Sequence, residues 1–320
     1  MLKFITKRLL KAIPQLIVIS MIIFGIIAMV PGDFVSAQSN PNMRPEQIAR
    51  LREIYDLDKP LHIRYVKWAG SAIKGDFGDS LSFNQPVSSV IGGYIWNSFY
   101  LSFTSLIITL LIGVPLGIIC AIKQYSMFDK ISTVFVFISL SIPSFFLALV
   151  LVKIFALDLK ICPLAGMTTT GGNLTGMAYF VDVVKHMILP VLTLSILSVG
   201  AWMKYVRNCM LEVINQDYIR TARAKGLKEK VVIYKHALRN AAVPMVTYLG
   251  LCIPGLFAGA IITETVFAWP GVGRLAYEAI GNRDYTLLMG FNMLSAVLLI
   301  LGNLLADVLY SVVDPRVKLK

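Results

Sequence analysis

Apolar residues in this chain run in long stretches and do not alternate with polar ones. Six stretches, at about 10–30, 99–122, 132–157, 186–205, 244–266 and 287–309, are almost free of charge. A helix of roughly 20 apolar residues crosses a hydrocarbon layer of ~30 Å, and a helix satisfies its own backbone groups there. The pattern predicts an all-α integral membrane protein with six transmembrane helices. Helical spacing also appears between the spans. In loop 31–98, Pro45 suits a first helical turn, and Ile48, Leu51, Ile54 and Tyr55 follow at helical intervals. A second short helix is expected from His62 to Ile73, carrying Tyr65, Val66, Trp68 and Ala69. The loop then passes through Gly75-Asp76-Phe77-Gly78 and Pro86. It reads as a small folded cap, suited to sealing a pore mouth and meeting an external partner, or to packing against the span ends. The expected organisation is 1–30 for the N-terminus and first span, 31–98 for the cap, and 99–320 for a core of five spans with a structured insertion at 204–243.

Composition narrows the class. Hydrophobic residues make up 57% of the 320 positions, charged residues 15%, and the mean hydropathy is +0.72. A soluble chain usually carries about 25% charged residues, so a soluble enzyme, a disordered protein and a secreted disulfide scaffold are excluded. The net charge of +12 is unevenly placed. Segment 1–11 holds Lys3, Lys7, Arg8 and Lys11 with no acid, and segment 204–243 holds nine basic and three acidic residues. Loops 31–98, 158–185 and 267–286 are each neutral. The excess therefore lies on alternate connections, which places both termini in the cytoplasm by the positive-inside rule and removes a nucleic-acid reading.

The N-terminal stretch from Ala12 to Val30 exceeds a signal peptide's usual apolar length of about 7–15 residues. It reads as an uncleaved first helix, and no lipidation motif follows Met1. Cys120, Cys162, Cys209 and Cys252 are scattered and read as small buried hydrophobes. Gly113, Pro115, Gly117, Pro143, Pro190, Pro254, Gly255 and Gly259 fall in or near spans. They fit bends and close helix approaches in a polytopic bundle. No repeat of matching halves is evident.

The chain contains no G-x-x-x-x-G-K-[ST] phosphate loop and no catalytic or metal motif built on His62, His186 or His236. No cofactor is expected on it. Two charged residues are the candidates for a role within the spans, Lys153 and Glu264. Glu264 is either a carboxylate near the interface, hydrated or held by Thr263 or Arg274, or a polar group of an outer pathway together with Arg274. Lys153 reads as a cation snorkelling to the outer headgroups, or as a partner of Glu264.

Segment 204–243 is the most informative. Asp217-Tyr218-Ile219-Arg220-Thr221-Ala222-Arg223-Ala224-Lys225-Gly226-Leu227 reads as a short helix capped by Asp217 and ended by Gly226. A second helix is expected from about Lys228 to Asn240, with Val231, Val232, Tyr234, Ala237 and Leu238 facing protein or lipid. The Ala222/Ala224/Gly226 surface admits close approach of another protein, and Arg220, Arg223, Lys225 and Lys228 suit acidic groups on it. The alternative is a basic segment lying on anionic lipid.

This run, followed by His236-Ala237-Leu238-Arg239-Asn240 and Pro244, resembles the coupling segment of inner-membrane permeases of binding-protein-dependent ABC importers, in particular the first permease of the dipeptide, oligopeptide and nickel group. Arg220, Thr221 and Ala222 stand at the E-A-A positions of the wider class motif; arginine at the first departs from that motif but suits the peptide and nickel branch. The resemblance extends over Arg8-Leu9-Leu10 with Pro14, Val30-Pro31-Gly32-Asp33, Gly75-Asp76-Phe77-Gly78 with Ser80, Ser141-Ile142-Pro143-Ser144-Phe145, Glu264-Thr265-Val266-Phe267, Trp269-Pro270-Gly271-Val272-Gly273-Arg274, Asp307-Val308-Leu309-Tyr310 and Val313-Asp314-Pro315-Arg316.

The resemblance implies a type I ABC importer permease fold and a role as half of a translocation pathway. It implies as partners a second homologous permease, two ATPase subunits or domains carrying ATP and Mg, and an extracytoplasmic solute-binding protein. It also implies a bacterial or archaeal inner-membrane location. Residues 217–227 become the ATPase-coupling site. Di- or oligopeptides are the expected cargo, with nickel, a metal chelate or a glutathione-like solute as the alternative. A secondary carrier using Glu264 for ion coupling and a non-transporting scaffold are the readings from other classes.

Overall fold

The computed structural model describes residues 2–32, 35–36, 43–54 and 56–313. Asp33, Pro41, Asn42 and Tyr55 of the cap, and the tail motif Asp314-Pro315-Arg316, lie outside the described residues. Among the described residues five helical segments are long and apolar enough to cross a membrane: Ile5–Met29, Val87–Ile122, Gly176–Ile214, Glu229–Val266 and Tyr285–Val308. The bent pair Met127–Ser141 and Ser144–Asp158 makes a sixth if counted as one span.

That pair turns the bend expected at Pro143 into a full break of the third span. Helix α5 (Met127–Ser141) ends at Ile142, which is extended at φ −75° and ψ 125°. The chain bends by 102° before α6 (Ser144–Leu151), which continues as a π-helical stretch over Val152–Asp158. Pro143 supplies the cause. It has no N–H to donate, and its ring pushes the preceding residue out of the helical region.

The chain forms two compact units. The first comprises Met1–Ser98, Phe257–Ile261 and Pro270–Leu301. Here α1 (Leu2–Met29) is met by the cap. The short helices α2 (Pro45–Ile54) and α3 (Leu61–Ala72) form where the helical spacing predicted them. Tyr65 on α3 stacks edge-on against Phe24 at 5.4 Å, and its hydroxyl lies 2.9 Å from Ser20 Oγ. Packing of the cap on the first span is thus realised.

A small antiparallel hairpin, β1 (Asp79–Ser80) and β2 (Gln85–Pro86), leads into α4 (Val87–Ile122). The hairpin is tied down by Asp284, which is fully buried. Its Oδ2 accepts from Ser80 Oγ at 2.6 Å and Ser82 N at 3.0 Å, while Oδ1 accepts from Leu287 N at 3.0 Å, in the first turn of the last helix. One carboxylate therefore serves as helix cap and loop anchor. The apolar core of this unit joins Val87, Val90 and Ile91 to Val272, Leu275 and Leu287.

The second unit comprises Phe99–Leu256, Ile262–Trp269 and Gly302–Lys320. Its axis is α7 (Gly176–Ile214). Helix α4 lies against α7 along small residues at four-residue spacing. Ser105 Oγ is 3.2 Å from Ser195 Oγ, Thr109 is fully buried, and Gly113 and Gly117 meet the α7 backbone. A Cβ at Gly117 would lie 2.7 Å from Met203 O and 2.7 Å from Val206 Cβ. Gly200 on α7 faces Ser139 on α5 in the same way, and Gly250 faces Ala306, whose Cα would be 2.9 Å from an added Cβ. In lipid, helices gain little from excluding water, so close backbone approach supplies the packing. All four cysteines are free; Cys120 and Cys209 are buried, and Cys162 and Cys252 partly so.

Candidate functional site

The expected site residues 217–227 form one compact corner of the second unit. Helix α7 stops at Asn215, whose amide donates to Leu211 O at 2.9 Å, while Gln216 Nε2 donates to Glu212 O at 3.2 Å. These amides serve carbonyls that a helix end leaves open. Gln216 is extended and α8 (Asp217–Ala224) follows. The cap is therefore Gln216, not Asp217 as the sequence suggested, and no side chain closes it. Asp217 is the first helical residue. There its charge complements the positive end of the helix dipole, and it accepts from Arg220 Nη1 at 3.3 Å.

The helix has two distinct faces. Ile219 and Ala222 are buried, and belong to one apolar cluster with Ile118, Val206, Met210 and Val232. Burial of a side chain such as Ile219 stabilises by about 2–3 kcal/mol, so α8 is fastened to the bundle. Ala222 thus faces inward, against the expectation that it shares an outer surface with Ala224 and Gly226. The three-residue step from Ile219 puts it on the buried side.

Tyr218, Arg220, Thr221, Ala224, Lys225 and Gly226 are exposed. Partial burial pushes the Tyr218 hydroxyl above its ordinary pKa. Gly226 takes φ +74° and donates to Arg223 O at 2.9 Å. This left-handed residue after the helix end suits glycine, and an added Cβ would meet nothing within 4 Å. Leu227 is exposed beyond it.

Arg223 does not stand free for a partner as expected. Its Nε and Nη2 reach Glu229 at 3.1 Å and 2.7 Å, a fork across the Gly226 turn. The Glu229 carboxylate pushes the guanidinium's pKa further up.

The second helix begins at Glu229, as α9 (Glu229–Val231), widens to a π-helical stretch over Val232–Ala237, and continues as α10 (Leu238–Cys252). Val232, Ile233 and Ala237 are buried; Val231 and Tyr234 are exposed. The set expected to face protein or lipid omits Ile233, which is buried because the wider helical turn shifts which residues share a face.

The candidate pathway residues Glu264 and Arg274 stand on two short helices. Glu264, on α12 (Ile261–Val266; α11 is Gly255–Ala258), is fully buried in the second unit, so it is not a hydrated interfacial carboxylate. Arg274, on α13 (Val272–Gly281) of the first unit, donates from Nε to Glu278 Oε1 at 2.8 Å. Lys153 pairs with Asp158 at 2.7 Å.

An ion pair that the sequence reading missed joins buried Asp129 to half-buried Arg207. Arg207 Nε donates to Oδ1 at 2.8 Å and Nη2 to Oδ2 at 2.9 Å. The Ser126-x-x-Asp129 spacing, a capping pattern, was the signal available. Among the described residues no three His, Cys, Asp or Glu side chains group so as to hold a metal ion.

A polytopic bundle of apolar helices, carrying a short helix with one buried and one exposed face, is the architecture of an integral membrane subunit. Comparison with known proteins agrees. Residues 113–319 match the family described as binding-protein-dependent transport system inner membrane component, and residues 1–90 match its N-terminal companion. The chain is 38% identical over 319 residues to the oligopeptide transport system permease protein AppB of Bacillus subtilis, covering 99% of this chain and 100% of that protein. It is 36% identical over 338 residues to the dipeptide transport system permease protein DppB of Escherichia coli K12, covering 100% of both. It is 34% identical over 320 residues to the glutathione transport system permease protein GsiC of Salmonella paratyphi A, again covering 100% of both. The fold matches a chain of the inward-facing MetNI methionine ABC transporter with a TM-score of 0.53 at 17% identity, over 70% of this chain and 96% of that one. The chain belongs to the family of binding-protein-dependent transport system inner membrane components, and is a multi-pass inner-membrane protein with the ABC importer permease fold.

Proposed function

We propose that this chain forms half of the translocation pathway of an ATP-driven importer for di- or oligopeptides. Peptide cargo is supported by the similarity to the oligopeptide and dipeptide permeases over essentially the whole chain. The glutathione permease relative keeps a small γ-linked peptide within the same reading. ATP hydrolysis belongs to partner ATPases, since the chain carries no phosphate loop. The further partners are a second permease and an extracytoplasmic solute-binding protein, for which the cap over 31–98 is the docking platform. Charge alternation along the chain supports cytoplasmic termini.

The observation that carries the proposal is helix α8. One face is anchored by Ile219 and Ala222, the other presents Tyr218, Arg220, Thr221, Ala224 and Lys225, and an open glycine turn follows. A rigidly mounted, basic, exposed helix fits a groove on an ATPase. Asp217–Leu227 are accordingly the coupling residues, with Arg223 acting through its fork to Glu229 and Ala222 through its anchor. Closure of the ATPase dimer on ATP would push this corner and turn the helices outward; hydrolysis resets them.

Arg220→Glu tests the contact. It removes an exposed cation without breaking the Arg223–Glu229 fork. The variant is expected to lose ATPase co-purification at moderate salt while the permease stays folded. Undiminished co-purification would remove Arg220 from the interface.

A further inference from the structure

The ion pair between Asp129 and Arg207 links two elements that the coupling reading leaves separate. Asp129 is buried in the first turn of α5. Its carboxylate accepts both arms of the Arg207 fork and also the Tyr125 N–H at 3.0 Å, in the turn between α4 and α5. Ser126 Oγ caps the same helix by accepting from Asp129 N at 3.2 Å. Further along, Val136 packs with Met203, and Gly200 brings the α7 backbone against Ser139. The polar fork thus fixes one end of an α5–α7 contact whose other end is a glycine approach. Past that end α5 stops, and the chain bends by 102° at Ile142-Pro143.

Helix α7 carries Arg207 and runs on to the connection that opens α8. Cys209 and Met210, one turn past Arg207, lie in the cluster that buries Ile219 and Ala222. Any push on α8 is therefore delivered to α7 close to the fork. A guanidinium–carboxylate fork fixes orientation as well as separation.

We propose that Asp129 and Arg207 are a positioning pair. They make α5 travel with the coupling corner as one body, so that the break at Pro143 takes up the motion. The proposal rests on the reading of α8 as the ATPase-docking helix.

The test is the complete transporter in proteoliposomes, comparing wild type with Arg207→Lys and Asp129→Asn. Spin labels sit at exposed positions Leu140 on α5 and Asn208 on α7, in a background lacking the four native cysteines. Wild type is expected to couple ATP to uptake and to keep the label distance fixed between nucleotide-free and ATP-trapped states. Arg207→Lys retains the charge and loses the fork. It is expected to assemble, to hydrolyse ATP, and to import about tenfold less solute per ATP, the scale at which substitutions along a coupling route act. Its label distances should also spread on ATP binding. An assembled Arg207→Lys transporter with wild-type uptake per ATP overturns the proposal. So does failure of both variants to assemble, which would make the pair a folding element. Wild type that shows no ATP-driven uptake would instead overturn the importer reading, and the positioning role with it.

Discussion

Gly117→Leu yields no stable, assembled protein. At this position α4 and α7 touch backbone to side chain with no room between them. The added Cβ would sit 2.7 Å from the Met203 carbonyl oxygen, which no rotamer change can move. The helices must separate, and with them go the Gly113 approach and the Ser105–Ser195 hydroxyl contact. Overpacking usually costs about 1–3 kcal/mol, occasionally more; a clash against fixed backbone between two long helices belongs at or above the top of that range. The measurement is thermal unfolding and size-exclusion profile in detergent and lipid. Gly70→Leu on the exposed cap helix is the control, because an added Cβ there meets nothing within 4 Å. A Gly117→Leu protein with a wild-type melting profile would mean that the α4–α7 seam is not packed as described.

Gly226→Trp gives the opposite outcome, a folded permease that no longer responds to ATP. Gly226 has φ +74°, so any side chain strains the backbone there, by roughly 1–2 kcal/mol. Among the described residues nothing lies within 4 Å of a Cβ built there. Gly226→Ala carries the same strain without the bulk, so the difference between the two variants reports only what lies outside the chain. Uptake by the Trp variant is expected to fall roughly tenfold or more below that of the Ala variant, as a clash of a few kcal/mol at an interface requires. Expression and melting should match between the two. Equal uptake in both would place Gly226 away from the ATPase.

The parts of this molecule that follow from local chemistry are legible in the sequence. Long apolar runs gave the bundle, Pro45 and the spacing of Tyr65 and Trp68 gave the cap helices, and Gly226 marked the end of α8. What escaped depends on partners distant in sequence. Ile142-Pro143 announced a bend, but a proline inside an apolar run is equally consistent with a mild kink, so its 102° angle needed the fold. The hairpin at Asp79–Pro86 is held by Asp284, some two hundred positions away, and nothing local identifies that anchor. Arg223 looked like one of four outward cations, yet its placement across a glycine turn lets Glu229 claim it. Ala222 looked like part of a smooth outer face because small residues suit any close approach; which side approached was decided by Ile219. Asp129 and Arg207 attracted no notice because a single acid in a short loop and a single base in a basic segment look ordinary apart.

ATP bound by partner subunits, not an ion gradient, is expected to drive solute through this chain. The direct measurement is uptake of a labelled di- or tripeptide into proteoliposomes. One set holds the full complex with its binding protein and internal or external ATP; the other holds this chain alone with an imposed proton or sodium gradient. Peptide accumulation is expected only with the complex, the binding protein and ATP on the ATPase side. Accumulation by this chain alone, driven by the gradient without ATP, would contradict it and return attention to the buried Glu264.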